Sequence, residues 1–94
     1  MSRQEHIRFR VTYSGRVQGV GFRATCRWIA SSHPVTGWVR NEHDGNVTLE
    51  AQGSPAAVET FLQDIAGRLE SNIASQSRMS LEVDPAETDF VIAR

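Results

Sequence analysis

Lysine is missing from this chain: all 10 basic residues are arginine. Without it there is no G-K-[ST] loop, the lysine-bearing signature of nucleoside triphosphate sites. A single cysteine, Cys26, cannot close an internal disulfide, so the cytoplasm is the expected compartment. Apolar runs are only a few residues long, so no membrane-spanning helix is expected. The opening residues Met1 to Ile7 lack the apolar core of a secretory signal. His6, His33 and His43 are scattered without ligand spacing, so no metal site is expected. Acids are missing from His6 through Asn41. Residues 1–41 carry seven arginines and one acid, Glu5, and residues 42–94 carry three arginines and ten acids. The basic half either meets an anion or pairs with the acidic half; charge alone favours pairing.

What is present is the composition of an ordinary globular protein, 39% hydrophobic and 22% charged, with a net charge of −1. The length of 94 residues suits one domain over 1–94, with no internal repeat or linker. Residues 7–14 alternate Ile7, Phe9, Val11 and Tyr13 with polar neighbours, the pattern of a half-buried strand. A glycine-rich loop, Gly15 to Gly21, follows. Phe22 to Ser32 reads as a helix with Phe22, Cys26 and Ile29 on one stripe, stopped by Pro34. Val35 to Asn41 reads as a strand, and Glu42 to Gly45 as a tight turn. Asn46 to Gln52 alternates again, with Val47, Leu49 and Ala51 inward. Ser54 and Pro55 open a second helix, whose stripe is Val58, Phe61, Leu62, Ile65 and Leu69. Residues 70–77 read as a polar loop. Met79, Leu81 and Val83 mark a fourth strand, and Phe90 to Ala93 a short last one. The order βαββαβ with an added C-terminal strand defines an α+β, ferredoxin-like two-layer sandwich with a mainly antiparallel sheet.

The first helix has an unusual start. Gly19, Val20 and Gly21 provide no side-chain acceptor for its free N–H groups, and its first turn carries Arg23 where an acid is favoured. Free amides, the positive end of the helix dipole and a guanidinium together suit a phosphate. The alternative is a solvated helix end. The spacing of Gly15, Gly19 and Gly21 does not fit G-x-G-x-x-G, which argues against a dinucleotide site. In this topology the first two strands run parallel with another between them, so their C-terminal ends share one sheet edge. Asn41, ending the second strand, should therefore lie near the loop; the alternative is an asparagine that merely initiates the turn.

Two segments, Gly15-Arg-Val-Gln-Gly-Val-Gly-Phe-Arg23 and Gly37-Trp-Val-Arg-Asn-Glu-His-Asp-Gly-Asn-Val47, closely resemble the signature segments of the acylphosphatase family, and the resemblance extends over nearly the whole chain. It implies hydrolysis of the carboxyl–phosphate bond of acyl phosphates without metal or organic cofactor. It also implies that the loop of Gly15, Arg16, Val17, Gln18, Gly19, Val20, Gly21 and Phe22 cradles the phosphoryl group, Arg23 holds it, and Asn41 positions the attacking water. The expected partner is a small-molecule acyl phosphate, with no nucleic acid, no membrane and a monomeric chain. Ser32-His-Pro-Val35 departs from the family's Leu-Gly-Leu turn, and Glu70 to Ser77 from a Gly-Pro-rich segment.

The chemistry fits these residues. A carboxylate leaving group, whose acid has a pKa of roughly 4, needs no general acid, and no paired carboxylates or His-Asp arrangement accompany the loop. Arginine suits phosphate through its planar fork and supplies charge of the kind a metal supplies elsewhere. Asn41 is too weak a base to take a proton, so a phosphate oxygen is its expected acceptor. Arg16 either steers the anion or is simply solvated. Cys26 and Trp38 are expected to pack, and Trp28 falls off the helix stripe. Two rival functions are opposed by the sequence. An RNA-binding sandwich would use exposed aromatics, and Phe9 and Tyr13 share a face, but Asn46 to Gln52 has no aromatic. A phosphate- or small-ligand-binding domain without turnover is opposed by the Arg23–Asn41 pair.

Overall fold

A computed structural model describes residues 5–94. The elements are β1 (Ile7–Gly15), α1 (Phe22–Ala30), β2 (Thr36–Asn41), β3 (Val47–Gly53), α2 (Pro55–Arg68), β4 (Ile73–Leu81) and β5 (Phe90–Ile92). They form one five-stranded sheet in the order β4-β1-β3-β2-β5. β3 lies antiparallel between β1 and β2, β4 is antiparallel to β1, and β5 runs parallel to β2. This is the expected α+β sandwich. Both helices lie on one face, where Val11, Tyr13, Val39, Leu49 and Ala51 meet Phe22, Ile29, Phe61 and Ile65. None of the helices among the described residues is long and apolar enough to cross a membrane.

The two faces of the central strand are both covered. Val47, Leu49 and Ala51 point inward as expected, but Thr48, Glu50 and Gln52 are buried too. The cover over their face is polar. Arg8, which alternation places outside, is 5% exposed. Its guanidinium donates to Glu50 at 2.8 Å, Gln52 at 2.7 Å and Glu87 at 2.9 Å. Arg10 meets the other Glu50 oxygen at 2.7 Å, and Gln52 exchanges two bonds of 2.8 Å with the backbone of Asp84. The segment around 84–87 thus folds back across the sheet. A buried arginine persists only when so paired: removing one partner of a buried ion pair costs about 3–5 kcal/mol.

Three expected boundaries are revised. Residues 70–77 are not a loop, because β4 begins at Ile73. That strand holds an edge through backbone bonds to β1 and is exposed along most of its length, so it needs no apolar alternation, and its first half, through Arg78, shows none. Within it, Met79 and Leu81 pair with Arg10 and Arg8 on the face away from the helices, and Val83 lies beyond the strand. On the helix face Arg78 lies over the Phe9 ring at 5.2 Å and binds Glu59 at 2.6 Å. Finally, α1 ends at Ala30 rather than Ser32. Its bonds tighten to i→i−3 spacing, Ser32 to Ile29 and His33 to Ala30, and His33 is disfavoured in a helix by the following proline. With no positive φ outside glycine among the described residues, the Ser31–Pro34 turn closes without the glycine cap.

Candidate active site

α2 begins conventionally: Ser54 accepts from the Ala57 N–H at 3.2 Å, with Pro55 in the first helical position. α1 does not. Its N-cap is Gly21, with no side-chain acceptor and no acid in the first turn. Gly19 and Gly21 sit at φ +76° and +78°, and nothing lies within 4 Å of where a Cβ would stand on either. Backbone conformation, not space, demands glycine there. The consequence lies in the amides. From Val17 through Ala24 no backbone N–H reaches an acceptor among the described residues; the first helical bond runs from the Thr25 N–H to the Gly21 carbonyl at 3.0 Å. Consecutive free amides in a left-handed turn at the positive end of a helix form a concavity for an anion.

Ties on both flanks hold the loop. Val17 and Phe22 are buried, and the Phe22 ring lies 5.2 Å from Tyr13, so these two side chains anchor the loop to the core. Gln18 Nε2 donates to the carbonyls of Glu42 and Asn46, both at 2.8 Å. On the other side the Arg16 N–H donates to the Asn72 carbonyl at 2.9 Å, and Asn72 Nδ2 returns a bond to the Arg16 carbonyl at 3.1 Å. The Arg16 amide is therefore occupied, leaving its exposed guanidinium as the group that faces solvent. Sequence reading missed Asn72 because it lies in the stretch taken for a polar loop. Gly15 ends β1 and Val20 is exposed at the loop's tip.

Arg23 lines a concavity of about 190 Å3 with Val17, Gly19, Gly21, Phe22, Ala24 and Ile92. Arg8, Arg10, Arg40, Arg68 and Arg78 each have a carboxylate partner within 4.0 Å, whereas among the described residues Arg16, Arg23 and Arg27 have none. The pairing reading of the charge asymmetry holds for Arg8 and Arg10, which meet acids of the other half across the sheet, while Arg16 in the loop, Arg23 at the start of α1 and Arg27 in its last turn stay without a carboxylate among the described residues. Ile92 also pairs with Val39, so β5 carries the wall of the concavity towards the end of β2. Asn41 stands there, on the same face as fully buried Val39. Its Oδ1 is buried and has no hydrogen-bond partner. The turn that follows it is the one Gln18 grips.

Other reactive groups stand apart. Burial raises the Cys26 thiol to about 12 and raises the Tyr13 phenol as well, so neither is an available nucleophile at neutral pH. Among the described residues no three His, Cys, Asp or Glu side chains converge as a metal site. Phe9 and Tyr13 do share a face, but it is the helix-covered one, where no base can stack.

Fold and loop together define a ferredoxin-like sandwich with a run of free amides at the start of its first helix. The family model for acylphosphatase matches residues 9–92. The acylphosphatase of Geobacillus thermodenitrificans (strain NG80-2) is 46% identical over 89 residues, which is 90% of this chain and 92% of that one. The crystal structure of acylphosphatase from Bacillus subtilis superposes with a TM-score of 0.83 at 27% identity, covering 94% of this chain and 99% of that one. An acylphosphatase from Coxiella burnetii gives 0.82 at 26% identity, covering 99% and 100%. The chain belongs to the acylphosphatase family.

Proposed function

We propose that this chain hydrolyses acyl phosphates to carboxylate and inorganic phosphate, without a metal, using the cradle, Arg23 and Asn41. The amides from Val17 to Ala24 and the Arg23 guanidinium hold the phosphoryl oxygens. Asn41 orients one water in line with the phosphorus. The water oxygen bonds to phosphorus as the bond to the acyl oxygen breaks, the electron pair leaves on the carboxylate, and the water's proton passes to a phosphoryl oxygen. No side chain need donate to so weakly basic a leaving group. Such transfer depends mainly on positioning and on charge stabilisation, which fixed amides and an unpaired guanidinium supply.

The run of acceptor-free amides from Val17 to Ala24 carries this reading. Asn41 adds to it: a buried acceptor without a donor costs about 1–3 kcal/mol, so a water donating to Oδ1 is held there. A non-catalytic phosphate binder would have no need of that second group. The loop's Arg16 and Val20 serve by steering and by exposing backbone. The same reading takes residues 1–94 as one domain, acting as a monomer in the cytoplasm on a small molecule without nucleic acid.

The test is steady-state hydrolysis of benzoyl phosphate, with Arg23→Gln as control and with EDTA added in a parallel series. Turnover that is unchanged by EDTA and nearly abolished in a folded Arg23→Gln variant is expected. Near wild-type turnover in Arg23→Gln would remove the arginine from the mechanism, and loss of turnover in EDTA would remove the metal-free one.

A further inference from the structure

The concavity at Arg23, about 190 Å3, is smaller than pockets that enclose whole ligands, roughly 300–1,000 Å3. It has room for a phosphoryl group, and the acyl group must extend beyond it. A larger groove of about 450 Å3 runs between α1 and β5, and Ala24 and Ile92 line both. The groove therefore adjoins the cradle, with Ala24 and Ile92 as their common border. From Ala24 to Ser31 it follows α1 for seven residues, about 10 Å.

Its walls are chiefly apolar: Trp28, Ala30, Val35, Phe90 and Ile92. Arg27 and Asp89 also line it, with opposite charges, so no net charge selects a charged acyl group. Trp28 is 62% exposed, although nothing in the core requires it. It is nevertheless braced. The Arg68 guanidinium lies over its ring at 5.1 Å, Asp64 holds Arg68 at 2.8 Å, and His33 holds Asp64 at 3.1 Å. A large aromatic wall, stacked by a guanidinium beside an open apolar groove, marks a binding surface.

We infer that the α1–β5 groove is the acyl subsite, and that it takes an extended, uncharged apolar chain whose phosphoryl end sits in the cradle. This rests on the cradle being the phosphoryl site. In wild type, kcat/KM for octanoyl phosphate should exceed that for acetyl phosphate by roughly tenfold or more, since even one methylene in an apolar pocket is worth about that much. Trp28→Ala should erase the preference and leave acetyl phosphate turnover unchanged, and Trp28→Phe should restore most of it. In parallel, calorimetry should show octyl phosphate binding more tightly than inorganic phosphate, with the gain lost in Trp28→Ala.

Equal turnover of the two substrates, or a preference that survives Trp28→Ala, overturns the subsite. So does octyl phosphate that binds no better than phosphate, whatever the turnover. If neither acyl phosphate is hydrolysed but octyl phosphate keeps its Trp28-dependent gain, the subsite stands and the hydrolytic reading falls. A concentration-dependent dimer seen by sedimentation and lost in Trp28→Ala would mean that a second copy covers the groove, and would overturn the subsite.

Discussion

The side-chain amide of Gln18 donates to the backbone carbonyl of Glu42 at 2.8 Å, which joins the glycine-rich loop to the residue immediately after Asn41. A second bond of the same length to the Asn46 carbonyl closes the clamp across the β2–β3 turn. Two parts of the site from distant stretches of sequence are thus held in one geometry by a single side chain. Gln18→Ala removes both bonds, each worth about 1 kcal/mol. The looser loop should lower kcat/KM for benzoyl phosphate about tenfold, because small misplacements of a positioned group are costly. Gln18→Glu should do no better, since a carboxylate faces two carbonyls. Inhibition by inorganic phosphate should weaken in parallel. Unaltered kinetics in Gln18→Ala would show that the loop holds its shape without the clamp.

Asn41→Ala should separate activity from stability. Loss of a fixed polar partner should cut kcat by at least ~10²-fold with little change in KM. The same change removes a buried acceptor that bonds to no other protein group, so the melting temperature should stay level. Kinetics and thermal melts on one preparation check both. A fall in stability with normal kcat would make Asn41 a structural turn residue instead.

Gly15 and Gly21 both have positive φ, +123° and +78°, but their surroundings differ. A Cβ on Gly21 meets nothing within 4 Å, while one on Gly15 would stand 2.5 Å from the Asn72 carbonyl and 2.6 Å from the Ala74 nitrogen. Gly21→Ala should therefore cost about 1–2 kcal/mol, the left-handed strain alone. Gly15→Ala should cost more, because β4 must move away from β1 to admit the methyl group. Denaturant titration of the two variants gives the order, and equal losses would contradict it.

The Asp64 carboxyl is held below its usual range, first by its hydrogen bond with His33 and then by Arg68. A depressed folded-state value stabilises the fold above the unfolded value of about 3.9. That contribution fades as pH falls through the folded-state value. The advantage of wild type over Asp64→Asn should be present at pH 7 and shrink below about pH 4. Melting temperatures of the two proteins across that interval measure it; a gap that widens on acidification would reverse the sign.

Much of this was legible in the chain because local rules and global fold agree. Ser54-Pro55 marked the start of α2, and the stripe Val58, Phe61, Leu62 and Ile65 marked its buried face. The uncapped Gly21 and the acid-free first turn marked the free amides at the start of α1, since an unmet amide is a property of local sequence. Where contacts are distant, the pattern was silent or misleading. The first half of β4 carries no alternation because its support is the β1 backbone. Arg8 reads as an outward residue until Glu50, Gln52 and Glu87 close over it.

By itself, then, the sequence determined the order of elements, the buried faces of both helices and the uncapped start of the first helix. Periodicity, capping and glycine conformation act within a few residues, so they are written locally. The tertiary structure alone decided that Gln18 and Asn72 grip the loop, that among the described residues Arg16, Arg23 and Arg27 lack a carboxylate partner while Arg8, Arg10, Arg40, Arg68 and Arg78 have one, and that Ala24 and Ile92 line both the concavity at the loop and the groove beside Trp28. Each of these sets residues far apart in the chain within a few ångströms of one another, and only packing of the finished sheet and helices fixes such distances.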